Sequence, residues 1–285
     1  MRCLAAASSA LRNVLAGPER PAECLGVARG ALYLRTTEAP HVLAVLCHDA
    51  VRLPCGLLLP VTSAELPLTS LVPPEPPPSA GFVVGGGAVS WTGPAGRVIV
   101  RAVREWAPAR AASGEPVPDV VAAVRSGLGA ADRSLDARLL ADLAAVDRDH
   151  DAIVAVAARL LGSGPGLTPS GDDVLAGFLV GTDAFGVEAA ALRQAIAVLA
   201  PARTTALSAA LLWHAARGEC IDELAAVAAV LTSQPSRRSG LRRADRAGGA
   251  VSRLLSVGHS SGAALALGLV TAAEAALQRQ GRRAA

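Results

Sequence analysis

The chain contains no lysine: all 27 of its basic residues are arginine. This excludes a Schiff-base lysine and the lysine of a phosphate-binding P-loop. It leaves the planar guanidinium fork, suited to carboxylate and phosphate, as the only strong cation. Aromatic residues are nearly as scarce, at 2%. With apolar residues at 52%, the core has to be built from Ala, Leu and Val, and small side chains favour close helix packing. The five cysteines, Cys3, Cys24, Cys47, Cys55 and Cys220, form no C-x-x-C pair, so neither a zinc ribbon nor a redox pair is indicated. Scattered reduced thiols point to a cytoplasmic location. The five histidines show no H-x-x-x-H spacing that would suggest a metal site. Arg12 interrupts the Ala-rich start, Met1 to Ala16, which reads as a first helix or strand and not as a signal peptide. No membrane span is expected. The net charge of +3 is too small to speak for nucleic acid, and no nucleic-acid partner is expected.

At 285 residues the chain can hold one or two domains. Residues 23 to 105 carry short apolar runs punctuated by turns: Leu25 to Leu34, His41 to Leu46, Gly56 to Val61, Gly81 to Val84, Ala88 to Trp91 and Arg97 to Val103. Their lengths and spacing predict a mainly antiparallel sheet or small barrel. Gly85-Gly86-Gly87 reads as a hairpin turn. Pro73 to Pro78 reads as a stiff polyproline connector. After Trp106 the pattern changes. Residues 109–118 read as an Ala-, Pro- and Gly-rich linker. Beyond them apolar residues recur at three and four, predicting helices over Val120 to Leu128, Leu135 to Val146, His150 to Leu161, Asp172 to Ala184, Glu188 to Leu199, Thr204 to Arg217 and Glu219 to Leu231. Thr232 to Gly249, with Arg237, Arg238, Arg242, Arg243 and Arg246, reads as a solvated loop that could instead bind phosphate or an acidic partner. The fold class is therefore α+β: an N-terminal mainly β domain over 1–108 and a C-terminal helical domain over 119–285.

One stretch organises the helical half. Leu161 to Gly177 reads LGSGPGLTPSGDDVLAG. Its glycines, Gly162, Gly164, Gly166 and Gly171, would each cost about 1 kcal/mol inside a helix, so they build a turn. Thr168 followed by Pro169 is a helix-start signal, and Ser170 with Asp173 offers a second register close to a capping box. Either way a glycine loop empties into a helix N-terminus, a geometry that suits a small anion. Gly164, Gly166, Thr168, Ser170 and Gly171 are the binding candidates. Asp172 and Asp173 in the first turn are either the helix's own anions or ligands for a divalent cation, Mg²⁺, bridging to an anionic substrate; they are the metal and catalytic candidates. No other cofactor is expected.

A second turn of the same kind follows. Val257 to Gly262 reads VGHSSG and opens the last long helix, Ala263 to Gln280. Gly258, Ser260, Ser261 and Gly262 are binding candidates, and His259 is the general acid–base candidate by residue type, or else a loop-capping histidine. Thr204 and Ser208 lie four apart on one helix face and could line the same pocket, or Thr204 or Thr205 could only cap the helix after Pro201. His214 and Arg217 read as partners of that helix's C-terminal dipole. Leaving such polar groups buried in separate places would cost free energy, so the two loops are expected to meet, with Thr204 or Ser208 nearby.

The runs GSGPGLTPSGDDVLAG, TTALSAALLWHAARGE and VGHSSGAALALGL resemble a bacterial family that includes the AllH subunit of oxamate carbamoyltransferase. The resemblance covers roughly residues 40 to 280 and is most specific in the first run. It implies a transferase of anaerobic allantoin use, in which carbamoyl phosphate and oxamate are exchanged with oxalurate and phosphate and several different subunits are required. It thereby implies a small anionic substrate and other protein subunits as partners. A non-catalytic anion-binding or assembly protein is the alternative. The family's second turn usually continues with an acidic residue, where this chain has Ala263 and Ala264.

Overall fold

The computed structural model describes residues 1–72, 75–76, 80–128, 137–145, 150–232 and 243–284. Most of the polyproline stretch 73–78, and Arg237, Arg238 and Arg242, lie outside them. The chain forms two compact units, Met1–Pro108 and Ala109–Ala285.

The first unit is a nine-stranded sheet built from β1 (Arg2–Ser8), β2 (Arg20–Pro21), β3 (Glu23–Ala28), β4 (Ala31–Arg35), β5 (Val42–Leu46), β6 (Gly56–Leu58), β7 (Val83–Gly85), β8 (Ala88–Gly93) and β9 (Gly96–Trp106), with a short helix α1 (Arg12–Ala16). The strand order is β2-β7-β8-β9-β1-β6-β5-β4-β3. The pairs β1/β9 and β5/β6 are parallel and the others antiparallel. The lone run read over Leu25 to Leu34 is in fact the hairpin β3–β4, because Arg29 and Gly30 turn the chain. Gly85 pairs with Ala88, leaving Gly86 and Gly87 as a two-residue turn with φ of 58° and 77°, the positive pair that matches strand twist. Trp91 anchors the core, stacked on Phe82, and its indole N–H donates to the Leu71 carbonyl at 3.1 Å.

The second unit is helical apart from a two-strand ribbon, β10 (Ala109–Arg110) with β11 (Glu219–Cys220). Part of the stretch read as a linker is therefore hydrogen-bonded structure. The helices are α2 (Pro118–Leu128), α3 (Ala137–Ala144), α4 (His150–Leu160), α5 (Ser170–Phe185), α6 (Ala190–Arg203), α7 (Ala206–Ala215), α8 (Asp222–Leu231), α9 (Arg243–Leu255) and α10 (Ser261–Ala284). The segment Thr232 to Gly249, read as a loop, is helical from Arg243 onward. Glu219 and Cys220, read as the start of a helix, belong to the ribbon.

Helix α5 is the axis of this unit. Every residue from Gly171 to Thr182 is buried, as its unbroken apolar run demands. The Gly186 N–H, in left-handed conformation, closes the helix on the Thr182 carbonyl. Its partner is α10. Gly177 meets Leu265, Gly268 meets Val174 and Phe178, and Gly181 meets Leu269 and Ala272. Positions rise together along both helices, so they run parallel. The contact is backbone to backbone: a Cβ on Gly268 would sit 2.0 Å from the Val174 carbonyl oxygen. Among the described residues α10 is the one helix long and apolar enough to cross a membrane, and 67% of its apolar window is buried inside the protein. It is the second core helix of the unit.

Candidate functional site

Parallel packing has a direct electrostatic consequence. The N-termini of α5 and α10 lie side by side, and their partial positive charges add. The two polar turns meet there: the hydroxyls of Thr168 and Ser261 are hydrogen-bonded at 2.9 Å, and those of Ser170 and Ser260 stand at 3.5 Å. The start of α7 is tied to the same place, because Thr205 donates to the Leu167 carbonyl at 2.6 Å and caps α7 by accepting the Ser208 N–H at 3.1 Å. Three helix starts thus gather around one polar cluster.

The loop feeding α5 does not use the cap the sequence suggests. Pro169 occupies the cap position with no side-chain hydrogen bond, so neither Thr168 nor Ser170 is the helix's cap. Instead the Pro169 carbonyl accepts the Asp172 N–H at 2.9 Å, and the Ser163 carbonyl accepts the Gly171 N–H at 2.9 Å. Thr168 is thereby left to bond across to α10. Glycine is required at two places for different reasons. Gly162 has φ 74° and faces the Arg203 carbonyl, and Gly171 abuts the Leu160 carbonyl, where a Cβ would lie 2.1 Å away. Gly164 and Gly166 also have positive φ and form the exposed tip of the loop.

The two adjacent aspartates have separate surroundings. Asp172 is 2% exposed; its Oδ1 accepts the Gly162 N–H at 2.9 Å and its Oδ2 accepts the Thr204 hydroxyl. Burial raises its pKa, while the hydrogen bonds from Thr204, Gly162 and Ser208 oppose the shift. Asp173 is 6% exposed, and its Oδ2 has no hydrogen-bond partner. Burial pushes its pKa up to about 7, with the negative charge of Asp172 adding to the rise and the Ser261 and Thr168 hydroxyls opposing it. Ser208 is 1% exposed, and its Oγ has no bond of normal geometry although it lies beside Asp172.

The remaining candidates are placed as follows. Thr204 ends α6 rather than lying within α7, so its pairing with Ser208 comes from their common neighbour Asp172, not from a shared helix face. Gly262 is buried against the Leu254 carbonyl, and its N–H bonds the Val257 carbonyl at 3.0 Å. Gly258, His259 and Ser260 are exposed in the turn, and no hydrogen bond joins the His259 ring to the described residues. Ala264 is buried at 4%. Among the described residues no group of three or more His, Cys, Asp or Glu side chains gathers as a metal centre.

Sequence reasoning missed the stripe that sets the helices together. Its signal was present as small residues four apart, Gly177 and Gly181 on α5 and Ala264, Gly268 and Ala272 on α10. It also missed the polar network at the far end of α7. There His214, fully buried, meets Glu219 at 2.7 Å instead of only facing the helix dipole, and Arg110 reaches both Glu219 and the Arg217 carbonyl. The Arg217 guanidinium lies 3.4 Å over the Trp213 ring. Two surface recesses in the first unit, one beside Arg20 and Glu38 and one beside Arg12 and Glu105, are bordered by those ion pairs.

The fold and this cluster define a class: an α+β protein whose helical unit joins three helix starts around two buried carboxylates. Residues 160–273 match the family described as oxamate carbamoyltransferase subunit AllH. This is the family that the sequence runs resemble, and the matched segment holds every candidate site residue, from Gly162 to Gly262. It covers less of the chain than the resemblance does. No curated protein and no solved structure matches.

Proposed function

We propose that this protein is a subunit of an oxamate carbamoyltransferase-like enzyme and binds a small anion, carbamoyl phosphate or a small carboxylate, where α5, α7 and α10 begin. The observation that carries the reading is the family match over the segment whose two polar turns are joined by the Thr168–Ser261 hydrogen bond. Helix N-termini supply positive potential and N–H donors, and the Thr168, Ser170, Ser260 and Ser261 hydroxyls supply adjustable ones. The contribution to carbamoyl transfer is electrostatic, through donors aimed at charge that develops as the group moves. His259 is the exposed residue available for proton transfer at the rim.

Mg²⁺ is part of this proposal in a limited form. Asp172 has both oxygens engaged, so only Asp173 offers a free carboxylate oxygen. Mg²⁺ is commonly held by one or two carboxylates, with water and substrate oxygens completing its shell. It would neutralise substrate charge.

The alternative, a non-catalytic anion-binding or assembly protein, is favoured by one observation: Asp172 is committed to holding the loop together. The test is to assay the purified chain alone and with the other subunits of an oxamate carbamoyltransferase, following formation of carbamoyl phosphate and oxamate from oxalurate and phosphate. Activity that needs this chain and is lost with Ser261→Ala plus Thr168→Ala supports the proposal. Full activity of the other subunits without this chain overturns it.

A further inference from the structure

The first unit holds none of the candidate site residues, and the middle of its sheet presents an unusual surface. Strands β1 and β9 are parallel neighbours, with Arg2 beside Ile99 and Leu4 beside Arg101. Side chains alternate across the sheet: Ala5, Val98 and Val100 are buried on one face, while Arg2, Leu4, Arg97 and Arg101 are exposed on the other. The register then slips, since Ala5 pairs with Ala102 and Ala6 with Arg104. Val103 is the extra residue of this bulge and pairs with no residue of either neighbouring strand. Leu4 is 60% exposed and Val103 52%. Single exposed apolar residues are ordinary, but these two stand on adjoining central strands beside a recess. The recess, of about 340 Å³, is lined by Leu15, Ala16, Gly87, Ala102, Val103 and Arg104. Its one acidic residue, Glu105, is spent on Arg12, which donates to both carboxylate oxygens at 3.1 and 2.6 Å. Arg2, Arg97, Arg101 and Arg104, by contrast, form no ion pair and no side-chain hydrogen bond among the described residues.

We propose that this face of β1 and β9 is where another subunit docks, through an acidic surface that carries an apolar side chain into the recess. The identity of the partner rests on the subunit reading above; the face and the chemistry of the contact are new. The anchor covers Leu4 and Val103, and carboxylates beside it pair with Arg101 and Arg104, whose planar forks accept a carboxylate through two N–H groups. An apolar centre within a charged rim is the pattern of a protein interface. A second copy of this chain does not fit, because a twofold contact sets the same surface against itself and brings unpaired arginines together. Nucleic acid phosphates satisfy the arginines but leave Leu4 and Val103 in water. The recess lies at the surface, where a small ligand would keep much of its own area exposed.

The test mixes the full chain with the other subunits of an oxamate carbamoyltransferase and follows the complex by sedimentation velocity, with its affinity measured by calorimetry at about 50 and about 300 mM NaCl. The expected result is a complex that weakens with salt. Arg101→Glu with Arg104→Glu should weaken it about tenfold or more and remove most of the salt dependence. Leu4→Ser with Val103→Ser should weaken it to a similar degree, about tenfold, with the salt dependence kept. Val198→Ser on α6, whose side chain is also exposed, should bind as the wild type does. All of these side chains are exposed, and thermal melts check that each variant is folded. A complex of wild-type affinity in both face variants overturns the inference and leaves the subunit reading standing. Equal weakening by Val198→Ser overturns it too. So does a wild-type dimer that Leu4→Ser with Val103→Ser converts to monomer, which makes the face a contact between copies. Binding of duplex DNA that Arg101→Glu with Arg104→Glu abolishes, with the subunit complex intact, overturns it in favour of nucleic acid. Absence of any complex overturns the inference, and the reconstituted assay then decides the subunit reading separately.

Discussion

Thr168 and Ser261 are 93 residues apart in the chain, and their hydroxyls are 2.9 Å apart in the structure. The bond joins the loop before α5 to the first residue of α10. It exists because those two helices run parallel with their backbones nearly in contact, so the site depends on the packing further down the helices.

The first prediction tests that packing. Gly268→Ala places a methyl carbon 2.0 Å from the Val174 carbonyl oxygen, and a backbone atom there cannot turn aside. The helices have to separate, and a loss of about 1–3 kcal/mol or more is expected. Gly248→Ala in α9 meets nothing within 4 Å and should stabilise by up to about 1 kcal/mol. Urea denaturation of the two variants measures the contrast. Equal effects would show that close approach is not what selects glycine at 268.

The second concerns stability against pH. The folded-state pKa of Asp173 is raised by burial to about 7 from 3.8, so the folded protein holds this proton more tightly than the unfolded chain. That contribution is fully present below about pH 4 and is lost as pH rises through about 7, a loss of up to about 4 kcal/mol. Asp172, shifted upward in the same direction, adds to the slope. Subtracting the urea-unfolding free energies of Asp173→Asn from those of the wild type across pH 4 to 8 isolates the Asp173 part. A flat difference would refute the shift.

The third separates Asp172 from its neighbour. Thr204→Val removes the hydroxyl that donates to Asp172 Oδ2 and leaves a buried acceptor short of a partner. A loss of about 1–3 kcal/mol follows, larger at pH 8 than at pH 5, because the ionised carboxylate needs the donor more. Thr205→Val also loses an α7 cap, at about 1 kcal/mol, but without that pH dependence. Thermal melts at the two pH values distinguish them.

The fourth concerns the far end of α7. Burial raises the Glu219 pKa, but the hydrogen bond and charge of His214, then Arg110 and Arg217, outweigh it and hold the carboxyl below its ordinary value. Its stabilisation is therefore present above the ordinary glutamate range and is lost as pH falls below it. Glu219→Gln should cost about 1–3 kcal/mol at pH 7 and clearly less at a pH low enough to protonate the wild-type carboxyl. Denaturant titrations at both pH values measure this, and a cost independent of pH would assign the effect to packing.

Much of this protein was determined by local sequence. The change from short β-rich runs to three-and-four spacing carries the α+β class, because strand and helix periods depend on nearby residues. The Gly86-Gly87 turn and the polar turns before α5 and α10 were legible for the same reason: glycine and small hydroxyl residues cannot continue a buried helix without cost. Local rules failed where another partner competed for the same atom. Thr168 has the position of a helix cap, yet Ser261 holds its hydroxyl. Thr204 was placed inside a helix, yet it ends the preceding one and serves Asp172. His214 was assigned to a helix dipole, yet Glu219, on the strand that follows α7, bonds its ring. Only the tertiary structure decided that Asp172 and Asp173, consecutive and chemically identical, differ in role. Successive helix positions point about 100° apart, so one carboxylate meets the Gly162 amide and Thr204, and the other turns toward the start of α10 with an oxygen left unpaired.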